Sequence, residues 1–500
     1  MANIVVFLGD LLSSLGPATV LVFVAVLLLS LWALTPRTPR VNWPPGPFCF
    51  PMVGCLPQLI ISGRRRQPTD LLPWYDTYGD IMHIKIGEQH MVILGTKELQ
   101  QEAFVKKASS VSERPLWVYI FDRLVGKDGA GVIMNSGHAW KELRRFTLSS
   151  FRDLGVGKHS LQERIQDEAR YLVQSMEDEN GNPFSPRDRI GKAVSNIISI
   201  VVFGTRWNYD EPSEMLTNVD QTLRLLTGIL IFTDFGRVFT PTKKIFALVD
   251  RLRELIAQEL ERHRQTFDPN DIRDFIDLFI KVTQEGQDPE VFTEKNFFRT
   301  IADLYMAGTD TTANTLRWSL VHMVNEPHVQ KKVQQEINEV IGQGRVVKME
   351  DKIRMPYTEA TILEVFRMSP VAPFGVAHAT SESVEVGGYT IPKGTIVIAD
   401  QYRILHDKCN FEDPYQFKPE RWLDSSGKVT KSGAYIPFST GPRVCLGKGL
   451  AEMEAFIFFT TLMQNFVFKV PNGEKHPNGI EGINTGVFMP YPYNVVAVRR

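Results

Sequence analysis

Cys445 stands in the stretch Phe438-Ser-Thr-Gly441-Pro-Arg443-Val-Cys445-Leu-Gly447, and a largely apolar run from Leu446 to Phe466 follows it. This pattern sets a sulfur at the start of a buried helix, between two glycines that allow tight turns. Backbone N–H groups at a helix start are unpaired and mark the positive end of its dipole, which favours thiolate over thiol. Arg443 adds a fixed positive charge two residues away. A thiolate held in an apolar setting by backbone N–H groups can ligate haem iron axially.

The segment resembles the F-x-x-G-x-R-x-C-x-G haem-binding signature of the cytochrome P-450 monooxygenases, and matches it at every fixed position. That resemblance implies haem b as cofactor, Cys445 as axial iron ligand, and Phe438 and Arg443 as cofactor contacts. Ala307-Gly308-Thr309-Asp310-Thr311-Thr312 lies within a helical stretch of roughly residues 294–324. Glycine in mid-helix costs about 1 kcal/mol against alanine. Thr311 can bond back to the Ala307 carbonyl, which suggests a locally opened helix. The segment resembles the family's oxygen-activation motif, (A/G)-G-x-(D/E)-T-(T/S). By that resemblance Ala307 lies beside the haem, Thr311 hydrogen-bonds activated dioxygen and Asp310 relays protons.

Glu364-Val-Phe-Arg367 looks like the family's E-x-x-R helix, and Phe417-Lys-Pro-Glu420-Arg421-Trp422 looks like the loop that supplies Arg421 as third partner. This triad is assigned to structure. Trp140-Lys-Glu-Leu-Arg144 looks like the W-x-x-x-R helix that pairs with haem propionates, since a buried anion must be paired or hydrogen-bonded. His378 and Arg114 occupy positions resembling further propionate contacts. Leu304, Val371, Val376, Val487 and Phe488, with the 114–136 loop and the 223–232 stretch, correspond to positions lining the family's substrate pocket. Their apolar content implies a lipophilic ligand: fatty acid, steroid or xenobiotic. Phe151–Ser160 and Asp268–Ile276 look most like family 2 of the animal enzymes. Asp400-Gln401-Tyr402-Arg403 departs from that pattern, where an asparagine is common, and Pro442 replaces a frequent lysine.

The remaining features concern location and architecture. Ala18–Leu34 is almost uninterrupted apolar sequence, within the ~17–25 residues that cross a bilayer. No basic residue precedes it, no A-x-A-like site follows it, and Arg37, Arg40 and Arg64–Arg66 come after. These point to a single-pass signal anchor with a cytosolic catalytic body, hence the endoplasmic reticulum membrane and contact with membrane lipid. Domains are expected at 1–35 (anchor), 36–48 (a stiff hinge around Pro44-Pro45-Gly46-Pro47) and 49–500 (one catalytic domain).

Cys49, Cys55, Cys409 and Cys445 are too few and too scattered for a disulfide framework. A formal net charge of −1 argues against a nucleic-acid partner. Helical periodicity at Leu161–Met176, Leu248–Leu260 and Val329–Val340, with only short strand-like segments, predicts a mainly α fold with a small β-sheet region. The resemblance supplies the cytochrome P-450 fold. It also implies electrons from NADPH through a flavoprotein reductase, with cytochrome b5 as a further partner. Lys141, Arg145, Arg152, Lys158 and Lys448 are candidates for the docking surface. Two other activities share parts of this pattern: a haem-thiolate isomerase or dehydratase acting on a lipid peroxide, and a non-catalytic haem or lipid carrier. The Asp310–Thr311 pair argues against the first, and a thiolate-type haem spectrum would exclude the second.

Overall fold

The computed structural model describes residues 41–50, 53–62, 67–209, 214–225 and 242–500, together with Gly16, Thr19, Val22 and Val26. The expected span at Ala18–Leu34 therefore lies almost wholly outside the described residues, as do Arg37, Arg40, Arg64–Arg66 and positions 226–232. No helix among the described residues is long and apolar enough to cross a membrane.

Ten helices of ten or more residues occur among the described residues. They are α1 (Gly137–Asp153), α2 (His159–Glu177), α3 (Arg187–Phe203), α4 (Glu214–Leu225) and α5 (Thr242–Thr266). After these come α6 (Phe275–Gln284), α7 (Glu294–Asn325), α8 (Pro327–Val340), α9 (Pro356–Met368) and α10 (Lys448–Asn465). The amphipathic expectation holds on α2, where Leu161, Ile165, Ala169, Leu172, Val173 and Met176 are all buried. The longest helix, α7, starts at a Thr293 cap whose side chain accepts from the Asn296 N–H. It packs against α3 and α10 in one large apolar cluster with Trp318 and Phe456 fully buried.

Strand content is small, as expected. Strands β1 (Ile81–Ile86) and β2 (Gln89–Leu94) form a hairpin across Gly87, whose φ of +58° suits the two-residue turn. That turn pairs Ile86 with Gln89, so β2 begins two residues earlier than its apolar run at Met91 suggests. β3 (Gly129–Ala130) pairs with β4 (Met134–Asn135). β5 (His378–Ala379) runs antiparallel to β6 (Ile396–Ala399), which lies parallel to β2, so the main sheet has the order β1-β2-β6-β5. Near the C-terminus Phe466–Lys469 pairs with Val496–Arg499.

Two features near the start of the chain add to the sequence reading. The described part of the proline-rich segment, from residue 41 on, is non-helical and lies against the body. His83 N–H donates to the Pro45 carbonyl at 2.9 Å, Trp43 stacks on His83 at 4.1 Å, and a Cβ on Gly46 would meet the His83 carbonyl. The second concerns cysteine. Cys49 and Cys55 are bonded to each other, next to an antiparallel bridge between Phe50 and Gly54. Spacing alone did not suggest that pairing.

Candidate haem and oxygen site

The Cys445 loop is shaped by one glycine more than the other. Gly441 has φ +77°, and a Cβ there would collide with the Phe104 carbonyl, so no other residue fits. Gly447 has an ordinary φ of −84° and caps α10. Cys445 N–H donates to the Phe438 carbonyl at 3.0 Å, which turns the chain so that the sulfur sits at the α10 start. Burial is the largest influence on the Cys445 thiol and pushes it up. The Gly447 and Lys448 N–H groups and the Arg144 and Lys448 charges pull it down. The helix-terminus effect expected from sequence is therefore present but outweighed, and a coordinating metal would deprotonate the thiol outright.

Three arginines converge nearby. Arg443 is 8% exposed, lies 3.7 Å over the Trp140 ring, and donates to the Ser112 and Asn135 carbonyls. Among the described residues its Nη1 has no partner, and neither does the buried Trp140 Nε1. Arg114 is also buried and donates to the Ile133, Val376 and Ala377 carbonyls at 3.0, 2.9 and 2.7 Å. Arg144 donates to the Val444 carbonyl at 2.6 Å. Burial pushes Arg443 down to about 8, with Arg114 and Arg144 adding repulsion and Glu113 opposing. Buried cations that repel one another, with two N–H groups unpaired, form an anion seat. The donor set fits the two propionates of a haem.

His378 is 5% exposed and bonds the Val111 carbonyl through Nδ1 at 2.9 Å. Burial and the Arg114 and Arg443 charges hold it well below its usual range, so it is neutral. With Nδ1 donating, Nε2 is an acceptor until a proton is added.

On α7 the Thr311 hydroxyl donates to the Ala307 carbonyl at 2.7 Å, the bond expected from sequence. The helix is nevertheless continuous through this turn. Gly308 has a second reason to be glycine, since a Cβ would lie 3.0 Å from Ile198 on α3. Asp310 is pushed up to about 6, mainly by burial and then by Asp220, with Arg317 and Arg187 opposing.

Glu364 and Arg367 are wholly buried on α9 and form two bonds, at 2.9 and 2.8 Å. Arg421 Nε joins Glu364 at 3.0 Å, and Trp422 Nε1 adds a bond at 2.9 Å that sequence reasoning missed. Among the pocket candidates, Phe488 N–H donates to the Val371 carbonyl at 2.8 Å, which brings those two backbones together. The Phe488 ring, however, is fully buried 5.0 Å from Trp318 and belongs to the core. Leu304 is buried in that core, Val371 and Val487 are half-buried, and Val376 is exposed. Lys141, Arg145, Arg152, Lys158 and Lys448 are all exposed. Far from this region His263, Asp274 and Asp277 cluster, but an arginine, Arg273, already holds Asp277 at 2.7 Å.

A fold of long helices with a small sheet, a cysteine at a helix start and an anion seat beside it defines a haem-thiolate protein. A family model described as Cytochrome P450 matches residues 44–497. Cytochrome P450 2D4 of Rattus norvegicus is 36% identical over 511 aligned positions, covering 98% of this chain and 99% of its own. Cytochrome P450 2J2 of Homo sapiens is 35% identical, covering 92% of each chain. The chain belongs to the cytochrome P450 family. It is a haem-thiolate monooxygenase of the animal family 2 type, using haem b and electrons from NADPH through a reductase, and acting on lipophilic substrates.

Proposed function

We propose that Cys445 is the axial ligand and that Trp140, Arg144, Arg443 and Arg114 seat the haem propionates, with His378 joining them once a propionate draws a second proton onto its Nε2. The unpaired Trp140 Nε1 and Arg443 Nη1 carry this assignment. When bound, the haem supplies dioxygen activation and the insertion of one oxygen atom into a substrate C–H bond. The protein's part is to hold that group, exclude water and deliver protons. Thr311 holds a proton at Oγ1, parked on the Ala307 carbonyl and free to be redirected. Asp310 sits one residue away with a carboxyl that exchanges protons near neutral pH, which suits it to reload Thr311. Glu364, Arg367 and Arg421 hold the loop before the cysteine, and residues 49–500 act as one catalytic domain.

The apolar segment at Ala18–Leu34 supports a single-pass anchor in the endoplasmic reticulum membrane, with the body on the cytosolic side and in contact with lipid. The exposed basic residues suit an acidic flavoprotein, and cytochrome b5 as a second partner. Val371, Val376 and Val487 remain the pocket contacts, with Leu304 behind them, for a fatty acid, steroid or xenobiotic.

The deciding experiment is the difference spectrum of the reduced protein with carbon monoxide. Wild type gives the thiolate-ligated band and Cys445→Ser loses it with nearly all turnover. A thiolate band that survives Cys445→Ser overturns the ligand assignment. Thr311→Ala keeps the band but diverts reducing equivalents to hydrogen peroxide, and unchanged coupling of NADPH to product removes the relay.

A further inference from the structure

The turn that carries Val487 is built on a short hairpin, in which Gly482–Asn484 pairs antiparallel with Phe488–Pro490. A two-stranded hairpin of this length is marginal by itself in water, so its outer edges need partners. One edge is held by the core. The Phe488 N–H donates to the Val371 carbonyl at 2.8 Å, and Trp318 Nε1 on α7 donates to the Phe488 carbonyl at 3.1 Å. The other edge meets a single side chain. Gln67 Nε2 donates to the Gly482 carbonyl at 2.5 Å, and the Gly482 N–H donates back to Gln67 Oε1 at 3.1 Å. The same Nε2 donates to the Tyr491 hydroxyl at 3.1 Å, just past the second strand.

An amide that gives and accepts a hydrogen bond on one backbone residue takes the place of a neighbouring strand. Gly482 is closed in on its remaining sides, since a Cβ there would lie 2.2 Å from the Met489 carbonyl and 2.9 Å from the Trp318 ring. Gln67 is 4% exposed, so these bonds are made out of water and are costly to leave unmade. Its own place is fixed on the sheet side of the molecule. The Gln67 N–H donates to Asp70 Oδ2 at 2.9 Å, at the start of the short helix Pro68–Leu71. Leu71 packs on the apolar cluster that holds Ile84 and Ile86 of β1 and Met91 of β2.

We propose that Gln67 is a positioning residue for the substrate pocket: by clipping the outer edge of the hairpin to the sheet side, it fixes how far the Thr485-Gly486-Val487 turn reaches into that pocket. The inference rests on the pocket role given to Val371 and Val487 above. Inside the turn, the Thr485 N–H donates to the Val487 carbonyl at 3.1 Å and the Gly486 N–H to Asn484 Oδ1 at 3.3 Å. The turn is thus closed on itself and is placed by the two edges of its hairpin. Val371 sits on the inner edge, so a hairpin released at Gln67 shifts two pocket walls together. Gln67 lies in none of the haem or oxygen motifs, and its action is on which molecules fit.

The test uses the full-length haem-loaded protein and two azoles whose nitrogen ligates ferric haem, imidazole and the much bulkier clotrimazole. Binding is read from the shift of the main haem absorption band. Imidazole reports the haem itself, whereas clotrimazole also reports the pocket walls. In Gln67→Ala the carbon monoxide band and the imidazole Kd stay at their wild-type values, while the clotrimazole Kd rises by about three- to tenfold. Gln67→Met keeps the length and bulk of the side chain, removes both hydrogen bonds, and moves the clotrimazole Kd the same way. A clotrimazole Kd unchanged in either variant, or one that rises only in step with imidazole, overturns the inference. Val487→Trp separates this result from the pocket reading beneath it. If that variant leaves clotrimazole binding alone, the hairpin does not wall the pocket and both readings fall. If it weakens clotrimazole while the Gln67 variants do not, the pocket stands and the role of Gln67 falls.

Discussion

At the scale of single residues, the unpaired Trp140 Nε1 makes the sharpest prediction. Trp140→Phe keeps an aromatic ring under Arg443 and removes only the N–H. A hydrogen bond to a charged group contributes about 1.5–3 kcal/mol, roughly 10- to 100-fold in an equilibrium. The variant is expected to fold, show the thiolate band, and lose haem to apomyoglobin faster by about that factor. Haem retention equal to wild type would remove Trp140 from the propionate seat. Sequence made this residue legible because indole and guanidinium one helical turn apart suit a buried anion. It did not make legible why Gly441 is glycine, since the reason is the Phe104 carbonyl, more than three hundred residues away in the chain. Phe488 shows the opposite failure: an apolar residue at a pocket-like position is turned into the core by Trp318. Periodicity identifies a buried side chain and says nothing about which cavity it faces.

At the scale of helices, the link between α7 and α10 was not legible at all. Glu454 on α10 is 1% exposed and hydrogen-bonds Thr312, the neighbour of Thr311. In sequence it reads as a polar break in an apolar run. Burial pushes its carboxyl well above the usual range, with the Thr312 bond opposing. The folded state therefore keeps Glu454 protonated at pH values where the unfolded chain has lost that proton. A raised folded value means that stability is fully present below the unfolded pKa near 4.5 and is lost as pH rises towards the folded one. Glu454→Gln keeps the shape and the hydrogen bond and removes the titration. Wild-type Tm is expected to fall more steeply than that of the variant between pH 5.5 and 8, with the variant the more stable at pH 8. Parallel curves would show that Glu454 is ionised in the fold. The Glu364–Arg367–Arg421 triad, by contrast, was legible through the resemblance of its helix and later loop to the family pattern, since an i,i+3 charge pair alone is common on helices. Its fourth member, Trp422, was hidden because an indole beside an arginine reads as ordinary core.

At the scale of the whole molecule, near-neutrality conceals an uneven distribution of charge. The chain carries 56 basic and 57 acidic residues, so a uniform surface would neither attract nor repel an acidic partner. Lys141, Arg145 and Arg152 nevertheless stand exposed on α1, the helix that carries Trp140 and Arg144, and Lys448 stands exposed on the first turn after Cys445. Lys158 joins them just before α2. One of these charges is partly answered, since Arg145 bonds Glu142 on its own helix. Electrons must arrive near the cysteine, so a basic surface there favours encounter with an acidic flavoprotein. Exposed charges of this kind act on association rate and are screened beyond about 8–10 Å at ordinary ionic strength. Replacing Lys141, Arg152 and Lys158 together with glutamate should raise the KM for reductase about tenfold or more at low salt, consistent with steering effects of 10–1000-fold. The kcat at saturating reductase should be retained, because none of the three touches the haem seat. Raising salt should weaken wild type towards the variant until the two converge. A triple variant with unaltered KM, or a wild type indifferent to salt, would place the electron-donor surface elsewhere on the molecule.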